Sequence, residues 1–234
     1  MLAFYPRFIR TFVDLPGHTS LLIHAWNGCN MHCFGCHNYE ELISAGPDGS
    51  HLNAEQVVRR LADCGGLFDA VLLSGGEFLM NERAEVERFL VQVREVFAGK
   101  IVVFTNGSYP RKLQRLLDSG LIDGAHIDMK LPYHRLDPAL DREVYEAVIG
   151  IAPPARFVQD MLEAVETVIR HNSMVSQVRT VRYPLLSDEY FEQIRLFVEA
   201  LKIKHNSGVP YFLNPYHPPQ FAASRSHAKP QFTH

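Results

Sequence analysis

Six short apolar runs bounded by turn residues alternate with helical patterns along this chain, at residues 21–25, 70–73, 101–104, 125–128, 175–181 and 211–213. Between the first two, Asn53 and Gln56 have the spacing of a capping box, and Val57, Leu61 and Cys64 make an apolar stripe behind it. Val86, Leu90, Val93 and Phe97 form a second helical face. Leu113, Leu116 and Leu117 form a third, between Pro110 and Gly120. Val158, Leu162, Val165 and Ile169 mark a fourth, and Ser187 opens a fifth with Phe191, Ile194, Val198 and Leu201 on its apolar side. Strands that alternate with helices are parallel neighbours, because a parallel connection needs a crossover. Six fall short of the eight that close a barrel. The expected fold is therefore α/β, an open, partial (β/α)6 TIM-like barrel. Ligands of such sheets sit at the carboxyl ends of the strands, so reactive residues should follow each run.

They do. Cys29, Cys33 and Cys36 come directly after the first run, spaced C-x3-C-x2-C, while Cys64 stands apart on a helical stripe and reads as a small buried hydrophobe. Three clustered thiols read as metal ligands more readily than as disulfide partners. Each can take one corner of a [4Fe–4S] cube and leave the fourth iron open. A zinc site completed by His32 or His37 is the competing chemistry. Ser74-Gly75-Gly76-Glu77 follows the second run, and its glycines let backbone approach a ligand closely. Thr105-Asn106-Gly107 follows the third and Asp128-Met129-Lys130 ends the fourth. Arg179 lies on the fifth, with Arg182 near enough to compete with it, and Asn214-Pro215-Tyr216-His217 follows the sixth. Taken singly, these are ordinary turns and solvated charges. Their recurrence at successive strand ends is what marks a site.

The cysteine spacing resembles the signature of the radical S-adenosylmethionine (radical SAM) superfamily. Cys36-His37-Asn38, Thr105-Asn106-Gly107 and Asp128-Met129-Lys130 resemble segments of its glycyl-radical activating enzymes. Phe12-Val13-Asp14-Leu15-Pro16-Gly17 is similar to the V-D-x-P-G that precedes their first strand, and Pro215-Tyr216-His217 resembles a segment of pyruvate formate-lyase activating enzyme. Ser74-Gly75-Gly76-Glu77 resembles the family's GGE motif, with Phe78 where a proline is usual. The resemblance spans residues 12–217. It implies a radical SAM fold and a [4Fe–4S] cluster on Cys29, Cys33 and Cys36 whose open iron chelates S-adenosylmethionine (SAM). The reduced cluster would cleave SAM to a 5′-deoxyadenosyl radical, with no catalytic residue beyond the cluster. Implied SAM-binding residues are Gly75, Gly76, Glu77, Thr105, Asn106, Asp128, Lys130, Arg179 and His217. Implied partners are a glycyl-radical enzyme as protein substrate and a low-potential electron donor such as flavodoxin or ferredoxin. The N-terminal segment and Arg179-Thr180 favour anaerobic ribonucleotide reductase as that substrate. Two departures stand out. Gly35 occupies the place of the family's aromatic residue before the third cysteine, with Phe34 one position earlier. Phe104 replaces an Asp that helps pyruvate formate-lyase activating enzymes hold a monovalent cation, which implies weak or no dependence on sodium or potassium. The alternatives are a small-molecule radical SAM enzyme similar to 7-carboxy-7-deazaguanine synthase, and a non-catalytic zinc or iron–sulfur protein.

Composition narrows the field without choosing within it. A hydrophobic content of 47% supplies a core without disulfide staples. The formal net charge of -3 argues against a nucleic-acid or anionic-membrane binder that works by bulk charge. No run approaches the roughly 18 apolar residues of a membrane span, and the first ten residues lack the apolar stretch of a secretory signal. The expectation is a cytoplasmic protein with neither nucleic-acid nor membrane partners. It has one core domain at 1–217 and a mobile Pro- and His-rich tail at 218–234. Residues 38–51 and 131–152 are long enough to cover the strand ends and read as mobile lids.

Overall fold

The computed structural model describes residues 1–219; of the expected tail, 220–234 lie outside the described residues. The chain begins with two short strands, β1 (Ala3–Phe4) and β2 (Ile9–Thr11), before the first long strand, β3 (Ser20–Ala25). It crosses through β4 (Leu52–Asn53) and α1 (Ala54–Cys64) to β5 (Ala70–Gly75), then through α2 (Arg83–Val96) to β6 (Lys100–Thr105) and α3 (Pro110–Asp118) to β7 (Gly124–Asp128). Two helices, α4 (Arg142–Ile149) and α5 (Phe157–His171), lead to β8 (Gln177–Arg182), and α6 (Asp188–His205) leads to β9 (Tyr211–Pro215).

All six expected strands are present. β3, β5, β6, β7, β8 and β9 pair in that order, each parallel to the next. The sheet stays open, with β9 at one edge and antiparallel β1, β2 and β4 extending the other. Those three strands have two or three residues each, too few for a sequence periodicity to register. Alternation divides each central strand between two cores. Ile23, Leu73, Val103 and Ile127 face the helices, while Leu22, Leu72, Val102 and Phe104 turn inward with Leu15 and form the barrel floor. Strands buried on both faces read as the continuous apolar runs seen in the sequence.

Helix α1 starts where its cap says. Asn53 Oδ1 accepts from Gln56 N and Gln56 Oε1 accepts from Asn53 N, both at 2.9 Å, closing the capping box. The stripe of α5 is rotated from the expected one: Phe157, Met161, Ala164, Val165, Val168 and Ile169 are buried, while Val158 and Leu162 are only partly covered.

Residues 131–152 require correction. They are no lid: Leu131, Tyr133, Leu136, Val144, Tyr145, Val148 and Ile149 are buried in the helix-side core. The outward Arg142, Glu143 and Glu146 give the segment its polar look and mask a 144/145/148/149 stripe. Residues 38–51 carry one turn of π-helix at Tyr39–Ser44, anchored by buried Leu42. Among the described residues, no helix is long and apolar enough to cross a membrane.

Candidate active site

The cysteine loop, residues 28–38, leaves the end of β3 and is pinned from two directions. On one side His32 N and Phe34 N donate to the carbonyls of Ile149 and Val148, each at 2.9 Å. These belong to the last turn of α4, where carbonyls have no partner inside the helix. Gly150 closes that helix at φ +72, and a Cβ there would run into the His32 carbonyl. On the other side Glu77 N donates to Gly28 O at 2.9 Å and Asn38 Nδ2 to Gly75 O at 2.7 Å. A Cβ on Gly75 would strike the Ala25 backbone and one on Gly76 the Gly28 carbonyl. Close backbone packing therefore demands both glycines.

The three thiols line one cavity of about 420 Å³. Burial pushes all three up, and Cys33 to about 12, although the Lys130 charge opposes it. A bare thiolate is disfavoured there, and a metal centre held by these thiols would have to displace their protons. Among the described residues, no three His, Cys, Asp or Glu side chains gather as around a single ion. The His32 ring packs edge-on against Tyr39 at 5.3 Å, and His37 Nε2 meets the His217 carbonyl at 2.9 Å. Three thiols without a fourth ligand match a cube with one open iron better than a closed zinc site.

The same cavity is lined by a charged group. Asp128 Oδ1 accepts from Arg179 Nε and Nη2 at 3.2 and 3.0 Å, and its Oδ2 accepts from Lys130 Nζ at 3.0 Å. Burial alone would raise the Asp128 carboxyl, but the two cations hold it at about 2. Cross-strand pairing sets the geometry, since Asp128 and Arg179 are register partners in β7 and β8. The Arg179 guanidinium also lies 4.4 Å above the Phe104 ring, which stacks on His126 at 4.6 Å. Arg182, its rival in the sequence, turns away to Asp188.

Glu77 lines the cavity yet is 1% exposed, and its carboxylate is spent on the protein. Oε1 accepts from Leu79 N at 3.1 Å and Thr105 Oγ1 at 3.0 Å, and Oε2 from Asn106 N at 2.7 Å. Burial raises its pKa to about 7 against the pull of those donors. The carboxylate thus ties the β5 loop to the β6 loop. Asn106 carries the tie onward, its Nδ2 lying 2.9 Å from Asn30 Oδ1 and 3.7 Å from Cys29 Sγ. Thr105 and Asn106 also line the cavity, as do Gly75, Gly76, Asp14 and His217. All twelve residues expected to hold a cluster or its cofactor border this one space. Sequence reasoning missed the α4 carbonyls, Asn38 as a clip on Gly75, and the aromatic group Phe34, Tyr183 and Tyr216.

A radical SAM cofactor pair fits this arrangement: a three-thiol wall, an ionic wall of Asp128, Lys130 and Arg179, and a volume suited to a small ligand. The Radical SAM superfamily profile matches residues 23–201. This chain belongs to the radical SAM superfamily. The cofactors of that family are a [4Fe–4S] cluster and SAM. Among curated proteins, "Putative glycyl-radical enzyme activating enzyme MJ1227" of Methanocaldococcus jannaschii is 26% identical over 178 residues, 76% of this chain and 67% of that protein. Among solved structures, native anSMEcpe with bound AdoMet aligns with a TM-score of 0.52 at 14% identity, covering 80% of this chain and 48% of that one. The radical SAM methyltransferase TsrM from Kitasatospora setae, with cobalamin and a [4Fe–4S] cluster bound, aligns with a TM-score of 0.53 at 17% identity, covering 82% of this chain and 34% of that one. This chain thus spans half or less of those two structures, and they speak for the fold alone.

Proposed function

We propose that this radical SAM enzyme activates a glycyl-radical enzyme, abstracting a hydrogen atom from a backbone glycine of a partner protein. The open edge of the sheet is the observation that carries the reading. Among the described residues β9 has no partner strand beyond it, and Phe212 and Leu213 are each 39% exposed beside a site whose supposed second lid is committed to the core. A small substrate gains from a sealed pocket, whereas a glycine on an extended loop needs a side entrance. The similarity to the Methanocaldococcus jannaschii protein supports the same class.

When bound, the cluster and SAM supply one-electron cleavage of the sulfonium and hydrogen-atom abstraction. The chain's own residues supply position. Cys29, Cys33 and Cys36 would hold the cluster, and Lys130 and Arg179 would meet the carboxylate of SAM beside Asp128. Glu77 would hold the β5 and β6 loops in register, with Gly75, Gly76, Thr105 and Asn106 forming the cradle wall and His217 its outer rim. Within the class, the N-terminal segment and Arg179-Thr180 favour anaerobic ribonucleotide reductase as the partner, with a low-potential flavodoxin or ferredoxin as donor.

The test mixes anaerobically reconstituted enzyme, SAM and reductant with a glycyl-radical protein encoded nearby and records electron paramagnetic resonance. A glycyl doublet is expected. Its absence, together with a small molecule consumed in step with 5′-deoxyadenosine, would overturn the activase reading and leave the family intact.

A further inference from the structure

The cavity is lined by two chemically different groups. One is ionic, with Asp128, Lys130 and Arg179. The other is aromatic, where Phe34, Tyr183 and Tyr216 pack together beside the Cys33–Cys36 bend. SAM has matching ends, a charged amino-acid group and a flat neutral adenine.

Several aromatic rings reach the cavity, and most are already engaged. Phe104 carries Arg179 at 4.4 Å and stacks on His126 at 4.6 Å. Tyr183 is 4% exposed, and Phe34 and Tyr216 stack on each other at 5.3 Å with 26° between the planes, which uses one face of each ring. Tyr216 is half-buried and stands at the rim, just after a strand whose residues Phe212–Pro215 face solvent. Two contacts hold it over the cysteine loop: the Phe34 stack, and the bond from His37 Nε2 to the carbonyl of the next residue, His217.

Against the hydroxyl-bearing edge of the ring lies Gly35 at φ +62. A Cβ on Gly35 would stand 2.5 Å from both Cε2 and Oη of Tyr216, so any side chain there would expel the ring. The space that residue 35 would fill is occupied from the far edge of the sheet. We propose that Tyr216 is the platform against which this chain holds the adenine of SAM, and that residue 35 is glycine to admit it.

The inference rests on the family's cofactor and not on the recipient of the radical, so its failure would leave the activase reading standing. Anaerobic equilibrium dialysis of the reconstituted protein measures affinity for SAM and S-adenosylhomocysteine, normalised to bound iron. Tyr216→Phe keeps the ring and should stay within about twofold of the parent. Tyr216→Met fills the same space beside Gly35 without a π face, and Tyr216→Leu does so less fully. Both should weaken the two adenine-bearing ligands about tenfold. Free methionine lacks adenine, and its effect on the cluster's paramagnetic resonance spectrum should be the same in all three variants. Unchanged SAM affinity in the Met and Leu variants would overturn the proposal. So would an equal loss of methionine binding, or loss of the cluster in both, because either would make Tyr216 a structural clip only.

Discussion

Gly120 and Gly150 follow the ends of α3 and α4 with the same left-handed backbone, at φ +69 and +72. Their surroundings differ. A Cβ at Gly120 meets nothing within 4 Å, whereas one at Gly150 collides with the His32 carbonyl. Alanine at either position incurs the left-handed penalty of about 1–2 kcal/mol, which lowers Tm by about 2–8 °C in a chain of this size. Gly150→Ala must also push back a backbone carbonyl in a packed region, which adds about 1–3 kcal/mol. That displacement has a direction. His32 N and Phe34 N hang on Ile149 O and Val148 O, so the strain falls on the loop that carries Cys29, Cys33 and Cys36. Gly120→Ala should therefore reconstitute with full iron and a modest loss of Tm. Gly150→Ala should lose more Tm and bind less iron, with weaker visible absorption from the cluster. Equal iron content and equal Tm in the two variants would refute the claim that α4 buttresses the cysteine loop.

Replacing Cys29, Cys33 or Cys36 by Ala should abolish reductive formation of 5′-deoxyadenosine, while Cys64→Ala should spare it; product chromatography decides. Asp128→Ala should weaken SAM binding by one to two decades, because its carboxylate is proposed to meet the ammonium group of SAM, a charged hydrogen bond of about 1.5–3 kcal/mol. Binding isotherms at constant cluster content check it. Burial raises Glu77 from 4.5 to about 7, so the folded state holds its proton more tightly than the unfolded chain. Stability should fall as pH rises through that window, by roughly 3 kcal/mol. Denaturant titrations should show this component missing from Glu77→Gln. Activity should respond weakly or not at all to exchange of sodium for potassium, and selective activation by either would contradict the reading of Phe104.

The legible part of this protein was whatever repeats or clusters locally. Six β/α alternations announced the open parallel sheet, and five strand-end motifs converge on one cavity as the geometry of parallel sheets requires. The missed parts depend on contacts between distant segments. Nothing in the 142–149 stretch shows that its last carbonyls will hold a loop more than a hundred residues earlier. A closer count of Val144, Tyr145, Val148 and Ile149 ahead of Gly150 would have found the helix, though not its role. Glu77 illustrates a different limit. Its place in the GGE segment was plain, but only the structure shows its carboxylate's hydrogen bonds going to the protein's own β5 and β6 loops.

The ionic wall joins the sequence departure at Phe104 to the structure. Two cations on one carboxylate leave Asp128, Lys130 and Arg179 with an excess positive charge, a suitable partner for a ligand carboxylate. Phe104 offers no oxygen to a metal ion, but its π face accepts the Arg179 guanidinium at 4.4 Å. His126 supports the ring from the neighbouring strand, and burial together with the Arg179 charge holds that imidazole neutral, down at about 3. An uncharged His126 adds no repulsion to the stack, so Arg179 can be fixed from two sides, by the ring below and by the Asp128 carboxylate beside it. A cation bound from solution would have to compete with a tethered one already in place. The same substitution that removes an oxygen ligand thus supplies the seat for the protein's own cation.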